Sequence, residues 1–354
     1  MSDDITEVLE SFNQEKKKNP ILCCGVDCGT MFVAVARSDS DDIKIIRNAY
    51  LSLDKEEISL SELTDINYVK SDDGEIYIIG EDAFKLANLF NKQISRPMEK
   101  GMISPKEVNA IDILTLELKS ILGDIKDKDV YCTYSIPAPT IDEEGRSVIY
   151  HEKVFSKIFN SLGINNTSCN EAAAIVYSEA STEKFSACSI SFGAGMVNVA
   201  ILYRGIEVLK FSTSRSGDWI DKSVAESLNI IQNRVSSVKE KLFDLETDYK
   251  NNPDKKKRRI LEALGYFYEN LINYTIKNII KQFEQKVDIE INEAIPIIIA
   301  GGTSIPNGFI NLFKSVISKY ILPFEVSEIR QAKNPLTAVA KGLLIKTMSD
   351  VGDK

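Results

Sequence analysis

The chain of 354 residues carries 52 acidic against 43 basic side chains, a formal net charge of −9, and is 44% hydrophobic and 27% charged. That length buries one large core or two smaller ones, and the acidic balance excludes a dominant nucleic-acid surface, which needs clustered cations. No apolar run approaches the roughly 20 residues of a membrane-spanning helix, and the six cysteines (Cys23, Cys24, Cys28, Cys132, Cys169, Cys188) lack zinc spacing and any leader-like segment before them, so they read as buried thiols of a reducing cytoplasm.

Residues 1–19 stand apart as an N-terminal extension. Ile5, Val8, Leu9 and Phe12 recur at helical spacing, predicting a short amphipathic helix, either frayed or a docking segment for a partner. Its acidic polar face disfavours a membrane-surface anchor. After Pro20, "ILCCGVDCGTMFVAVARSD" reads as strand, glycine turn, strand, and "IKIIRNAYLSL" as a second hairpin-like stretch. "GEIYIIGEDAFKLANLF" predicts a strand and then a helix starting near Glu81. Ser104 as N-cap with Pro105 at the first position predicts a helix through "SPKEVNAIDILTLELKSIL". "DVYCTYSIPAP" is a buried strand closed by prolines, and "DEEGRSVIYHEKVFSKIFNSLG" a helix ended by Gly163.

"NEAAAIVYSEAS" predicts an Ala-rich helix, followed by a strand at Ser189–Phe192, the turn Gly193-Ala194-Gly195 and an alternating strand at Val197–Tyr203. A polar helical region runs from Asp218 to Tyr249 before "KNNPDKKKRR" breaks the pattern, its cations Lys255–Arg259 reading as a solvated face or loop. Ile260–Phe283 predicts a buried helix, "AIPIIIAGGTSIPNGFINLF" a strand, a Gly-Gly turn and a helix, and "NPLTAVAKGLLI" a final helix. No short repeat is visible, but each half opens with a strand, glycine turn and strand (Gly25–Arg37 and Ser189–Tyr203). Two such α/β halves imply a cleft between them.

The turns Asp27-Cys28-Gly29-Thr30 and Gly193-Ala194-Gly195 can each offer successive backbone amides to an anion. Gly301-Gly302-Thr303-Ser304, between a buried strand and a helix, adds a helix N-terminus. Tight hairpins use glycine for steric reasons too, so the order of the three turns says more than any one of them.

With these turns in place the chain resembles the actin-like nucleotide-binding superfamily, and within it the bacterial MreB and ParM branch. "GVDCGTMFVAVAR" is similar to the first phosphate loop, "SFGAGMVNVAILYRG" to the second and "IIIAGGTSIPNGF" to the adenosine loop. "NEAAAIVYSEA" resembles the first interdomain helix and "NPLTAVAKGLLI" the closing helix, with "IYIIGEDAFKLA", "RPMEKGMI" and "SRSGDWIDKSVAESL" in the same order. The resemblance implies duplicated ribonuclease-H-type α/β domains flanking a nucleotide cleft. Residues 20–170 would form the first half with a small lobe at about 50–95, 171–325 the second with a small lobe at about 218–294, and 326–354 a closing helix returning to the first half.

The resemblance further implies ATP or GTP with Mg²⁺, and self-association into filaments. Asp27 would lie near the metal and terminal phosphates. Gly29, Thr30, Gly193, Ala194 and Gly195 would hold phosphate through their amides, and Glu171 would orient the attacking water. Gly301, Gly302 and Thr303 would pack on sugar and base, with Lys239 flanking the purine. Read from the residues alone, Glu171 is equally a solvated acid favoured by a helix start.

The second loop departs from the family pattern Asp-x-Gly-x-Gly-Thr-x-Asp/Glu: its polar positions are Ser191, Met196 and Asn198. Ser236 stands where the purine pair has Glu, and Met31 and Phe32 replace smaller or polar residues in the first loop. Losing one preorganised electrostatic group costs about 2.7–4 kcal/mol in phosphoryl chemistry, whereas backbone amide contacts survive, so binding can persist while hydrolysis weakens. His151, the only histidine, and Trp219 read as structural.

Four functions follow as alternatives: an ATP-regulated cytoskeletal or DNA-segregating filament, a non-polymerising nucleotide-sensing adaptor or pseudo-ATPase engaging partners through residues 1–19, a small-molecule kinase, and a chaperone. For a kinase the only candidate bases are Asp218 and Asp221, and a chaperone would need a peptide-binding domain beyond Lys354.

Overall fold

The computed structural model describes residues 19–352 except 54–65, 71–73, 91, 93, 106–108, 144–146 and 287–289. The amphipathic pattern of residues 1–18 therefore lies outside the described residues. In chain order, β1 (Ile21–Cys28) turns back into β2 (Phe32–Arg37), which pairs with β3 (Ser40–Arg47). The stretch expected as a second hairpin is divided. β3 extends the first sheet, whereas β4 (Tyr50–Leu53) joins β5 (Tyr68–Lys70) and β6 (Ile76–Ile79) in a separate sheet of order β4-β6-β5, backed by α1 (Gly80–Phe90). The chain parts at Asn48, whose amide donates to the Met31 carbonyl (2.8 Å) and whose side chain donates to the Gly29 carbonyl (2.8 Å).

A tight hairpin, β7 (Met98–Glu99) and β8 (Met102–Ile103), precedes α2 (Ala110–Leu122). The described part of α2 starts at Ala110, flanked by Asn109, and the capping expected of Ser104 and Pro105 falls on residues 106–108, outside the described residues; the Ser104 amide donates to the Pro97 carbonyl (2.8 Å) across the hairpin base. β9 (Asp129–Ile136), α3 (Val148–Ser161), β10 (Asn165–Asn170) and α4 (Glu171–Glu179) follow, completing a sheet of order β10-β9-β1-β2-β3.

The second sheet repeats that topology. β11 (Ala187–Phe192), β12 (Val197–Tyr203) and β13 (Ile206–Thr213) form an antiparallel meander. β14 (Ile295–Ala300) and β15 (Val326–Gln331) add in parallel on the other side, giving β13-β12-β11-β14-β15. Three meander strands followed by two parallel ones, reached through helical crossovers, is thus the unit that occurs twice. Between β13 and β14 the polar region resolves into α5 (Gly217–Leu228) and α6 (Gln232–Leu242), separated at Asn229, which adopts the left-handed conformation (φ 52°) that ends helices. α7 (Lys255–Glu284) starts earlier than expected. Asp254 caps it by accepting from the Lys256 and Lys257 amides, so the basic run forms its first turns and stays solvated, not a loop before the helix.

Strand β11 is buried along its whole length, between helices on both faces. On one face Phe192 meets Phe309 and Phe313 of α8 (Phe309–Ile317) edge-on, at 5.1 and 6.3 Å between centroids. On the other, Ala172, Ala173 and Ala174 of α4 pack against α9 (Ala338–Gly352), where the absence of bulk lets helices and sheet approach closely. α9 also lies on the first sheet: Thr347 donates to the Cys24 carbonyl (2.9 Å) and accepts from the Thr133 amide (3.0 Å). All six cysteines are buried and free, and burial pushes the thiols of Cys24, Cys169 and Cys188 up to about 12. Among the described residues no helix is long and apolar enough to cross a membrane.

Candidate functional site

The loops β1–β2 and β11–β12 reverse in the same way. Gly29 N donates to the Phe32 carbonyl (3.1 Å) in one, and Gly193 N to the Met196 carbonyl (3.0 Å) in the other. The matched registers make Asp27 the counterpart of Ser191 and Ala34 that of Asn198. In both loops the next two amides, of Thr30 and Met31 and of Ala194 and Gly195, make no hydrogen bond among the described residues. Amides left unpaired in a concave turn are the donors an anion needs. The loops also touch: a side chain on Gly195 would collide with Thr30, whose hydroxyl accepts from the Gly101 amide (2.9 Å).

The third turn leaves β14 through Gly301, at φ 92° and pressed against the Phe192 backbone, where only glycine fits without strain. Thr303 donates from its hydroxyl to the Gly193 carbonyl (2.9 Å), tying this turn to the second loop. The expected helix N-terminus is not here. Gly302–Ser304 form one 3₁₀ turn, and α8 begins only at Phe309, behind Gly308.

Asp27, Gly29, Thr30, Glu171, Gly193, Ala194, Gly195, Lys239, Gly301, Gly302 and Thr303 all line one cavity of about 480 Å³ between the two sheets. That volume suits a small-molecule ligand. Asp27 accepts from the Ser135 hydroxyl (2.9 Å), which itself accepts from the Cys28 amide (2.8 Å). Glu171 opens α4, whose N-cap Asn170 accepts from the Ala172 and Ala173 amides. Its carboxylate takes a hydrogen bond from Asn198 Nδ2 (2.9 Å), while Asn198 Oδ1 accepts from the Ala138 amide (2.8 Å). Burial raises the proton affinity of Asp27. Burial and then the charge of Asp27 raise that of Glu171, with Asn198 opposing. Glu171 is thus a cavity acid, not a solvated one.

The ammonium of Lys239 is committed elsewhere, to the buried Asp221 (2.8 Å) and the Gly217 carbonyl (3.3 Å), and Ser236 donates to the other oxygen of Asp221 (2.6 Å). Met196 is buried with its sulfur against Gly101. His151 is buried, neutral and structural. Its Nδ1 accepts from the Ile103 amide (3.3 Å), its ring meets Phe155, and burial lowers its pKa to about 4. Trp219 packs edge-on against Phe267 (5.6 Å) beneath Arg215.

Three supports were not legible in the sequence: Asn48 and Ser135, which brace the first loop, and Gly101, which braces both. None of the three stands out from its neighbours in "IKIIRNAYLSL", "DVYCTYSIPAP" and "RPMEKGMI". Among the described residues no group of three or more acids, histidines or cysteines could hold a metal ion. The donor set instead fits a nucleotide with a hydrated divalent cation. Unpaired amides would meet the phosphates, Asp27 would hold a water of the cation, and water and phosphate would fill the cation's own positions.

None of the curated proteins matches the sequence. Among solved structures the chain is similar to the "MamK double helical filament", with a TM-score of 0.69 and 17% identity over 94% of this chain and 99% of that one. It is similar to MreB5 of Spiroplasma citri bound to AMPPNP (TM-score 0.66, 15% identity, 94% and 97% covered). It is also similar to the ethanolamine utilization protein EutJ from Carboxydothermus hydrogenoformans (TM-score 0.53, 16% identity, 92% and 90% covered). The fold is therefore actin-like. A model of the family described as Volactin matches residues 22–347, and the chain belongs to the Volactin family.

Proposed function

We propose that this protein binds ATP with Mg²⁺ in the cavity between its two sheets and assembles into cytoplasmic cytoskeletal filaments under nucleotide control. The carrying observation is the convergence of three glycine turns, with unpaired amides, on one cavity that also holds Asp27 and Glu171. Phosphates would lie against Thr30, Met31, Ala194 and Gly195, and the sugar and base against Gly301, Gly302 and Thr303. Glu171, steadied by Asn198, would hold the attacking water, and Asp27, steadied by Ser135, a water of the metal. A divalent cation bound with the phosphates supplies the positive charge that lets both carboxylates ionise. Self-association is supported by apolar exposure at the end of the second sheet away from the cavity, where Ile206 is 69% and Ile321 93% exposed. Stacking of such a face on another part of the next copy gives an open, non-closing filament.

A second reading, a nucleotide-sensing adaptor or pseudo-ATPase, is favoured by one observation. The second loop presents Ser191 in place of an acid and the thioether Met196, packed on Gly101, in place of a hydroxyl. Pelleting the purified protein with MgATP, against a nucleotide-free control, and assaying the pellet nucleotide separates the two. ATP-dependent pelleting with ADP supports a hydrolysing filament, and pelleting with intact ATP a slow one. Protein that binds ATP yet stays in the supernatant at high concentration refutes the filament and leaves the adaptor.

A further inference from the structure

Around the rim of the cavity the two halves of the molecule meet through side chains, whereas beside its floor they meet through the backbone. At the floor Ile141 N donates to the Ser212 carbonyl (3.0 Å), Ser212 N to the Pro139 carbonyl (2.9 Å), and Asn198 accepts from Ala138 N. Arg96 links the halves through a two-point ion pair with Asp218 (3.0 and 3.2 Å), and at the rim another link is Arg47, the last residue of β3. Its guanidinium reaches α6 and forks onto the Glu240 carboxylate, at 3.0 Å from Nη2 and 3.3 Å from Nη1. Its Nε is held by Glu81 of α1 (3.0 Å), and Nη1 also contacts the Met31 sulfur (3.3 Å). The rings of Phe32 and Phe84 flank it at 5.2 and 4.8 Å.

Only 10% of the Arg47 side chain is exposed. A planar guanidinium stacked between rings and forked onto a carboxylate is a preorganised contact, stronger than a solvated lysine pair. Met31 and Phe32 are the two first-loop residues whose side chains depart from the family pattern, and both side chains touch Arg47. Met31, Phe32 and Glu240 also line the cavity.

We propose that Arg47 and Glu240 form a latch across the mouth of the cavity, which must part for a nucleotide to enter or leave, and that Met31, Phe32 and Phe84 hold the arginine in place for it. The proposal rests on the nucleotide reading of the cavity. A latch is a barrier common to entry and exit. Weakening it speeds association and dissociation by the same factor and leaves the dissociation constant unchanged. A direct contact between Glu240 and the ligand would instead change the dissociation constant.

The test is stopped-flow fluorescence of mant-ATP with Mg²⁺, followed by a chase with excess ATP, on the wild-type chain, Glu240→Gln and Glu81→Gln. Both substituted residues are surface acids, so the fold survives. Removing the charge of a partly exposed but forked partner should speed both rates in Glu240→Gln about fivefold, with the dissociation constant within twofold of wild type. Glu81→Gln, which leaves the cross-mouth pair intact, should keep wild-type rates within twofold. Unchanged rates in Glu240→Gln, an altered dissociation constant with one rate unchanged, or equal acceleration in both variants overturns the latch while the nucleotide reading stands. No mant-ATP signal from the wild-type chain overturns the nucleotide reading and the latch with it.

Discussion

Asn198→Asp isolates the electrostatics of the cavity floor with almost no change of shape. Asn198 is fully buried; its amide nitrogen donates to Glu171 and its oxygen accepts from Ala138 N. Aspartate keeps the second bond and replaces the first by two carboxyl groups facing each other where 2.9 Å separates the partners now. Loss of a hydrogen bond to a charged group costs about 1.5–3 kcal/mol, and the facing charges add a comparable amount if both ionise. Burial and Asp27 make Glu171 keep its proton above the ordinary carboxylate range, so near pH 6 its carboxyl can still donate to the introduced carboxylate. Near pH 9, above the wild-type Glu171 value of about 8, the folded variant must either hold that shared proton against the solvent or leave two charges facing each other, and either costs stability. The variant should therefore lose about 3 kcal/mol near pH 9, a fall in melting temperature of roughly 4 °C for a chain of this length at about 2.1 cal/mol/K of unfolding entropy per residue, and under about 1 kcal/mol near pH 6. Thermal melts of the nucleotide-free protein at the two pH values measure this. Equal losses at both, or no loss near pH 9, would refute the assignment of Asn198 as the donor that steadies Glu171.

Wild-type stability without nucleotide should fall as pH rises, because Asp27 and Glu171 bind protons more tightly folded than unfolded, and the stability this adds at low pH is lost as pH passes their folded pKa values. Asp27→Asn should flatten that slope in melts taken from pH 5 to 9; an unchanged slope would show that Asp27 is not its source. Gly301→Ala places a Cβ at φ 92° against the Phe192 backbone and should cost about 2–4 kcal/mol while abolishing mant-ATP binding, checked by melting and titration. Ser191→Asp with Met196→Thr restores the acid and hydroxyl of the family pattern, and should raise phosphate release from ATP by about 10²-fold, measured under multiple turnover. A rate that does not move would mean that the second loop is not what limits hydrolysis.

The three glycine turns, the strands on either side of them and the duplication were legible in the sequence because each is set by neighbouring residues. Glycine permits the tight reversals, and uninterrupted apolar runs mark strands buried on both faces. The same local rules merged β3 with β4, since nothing local says that the chain changes sheets at Asn48. The loop departures at Met31, Phe32, Met196 and Asn198 were visible as departures, but their consequences were not. Asn198 meets Glu171 across 27 residues, Thr30 meets Gly101 across 71, and Arg47 meets Glu240 across 193. Such pairings depend on strand register and on how one half docks against the other. A side chain's type states what bond it can make, and only the packed tertiary structure selects the partner, by bringing one donor and one acceptor into a place that water cannot fill.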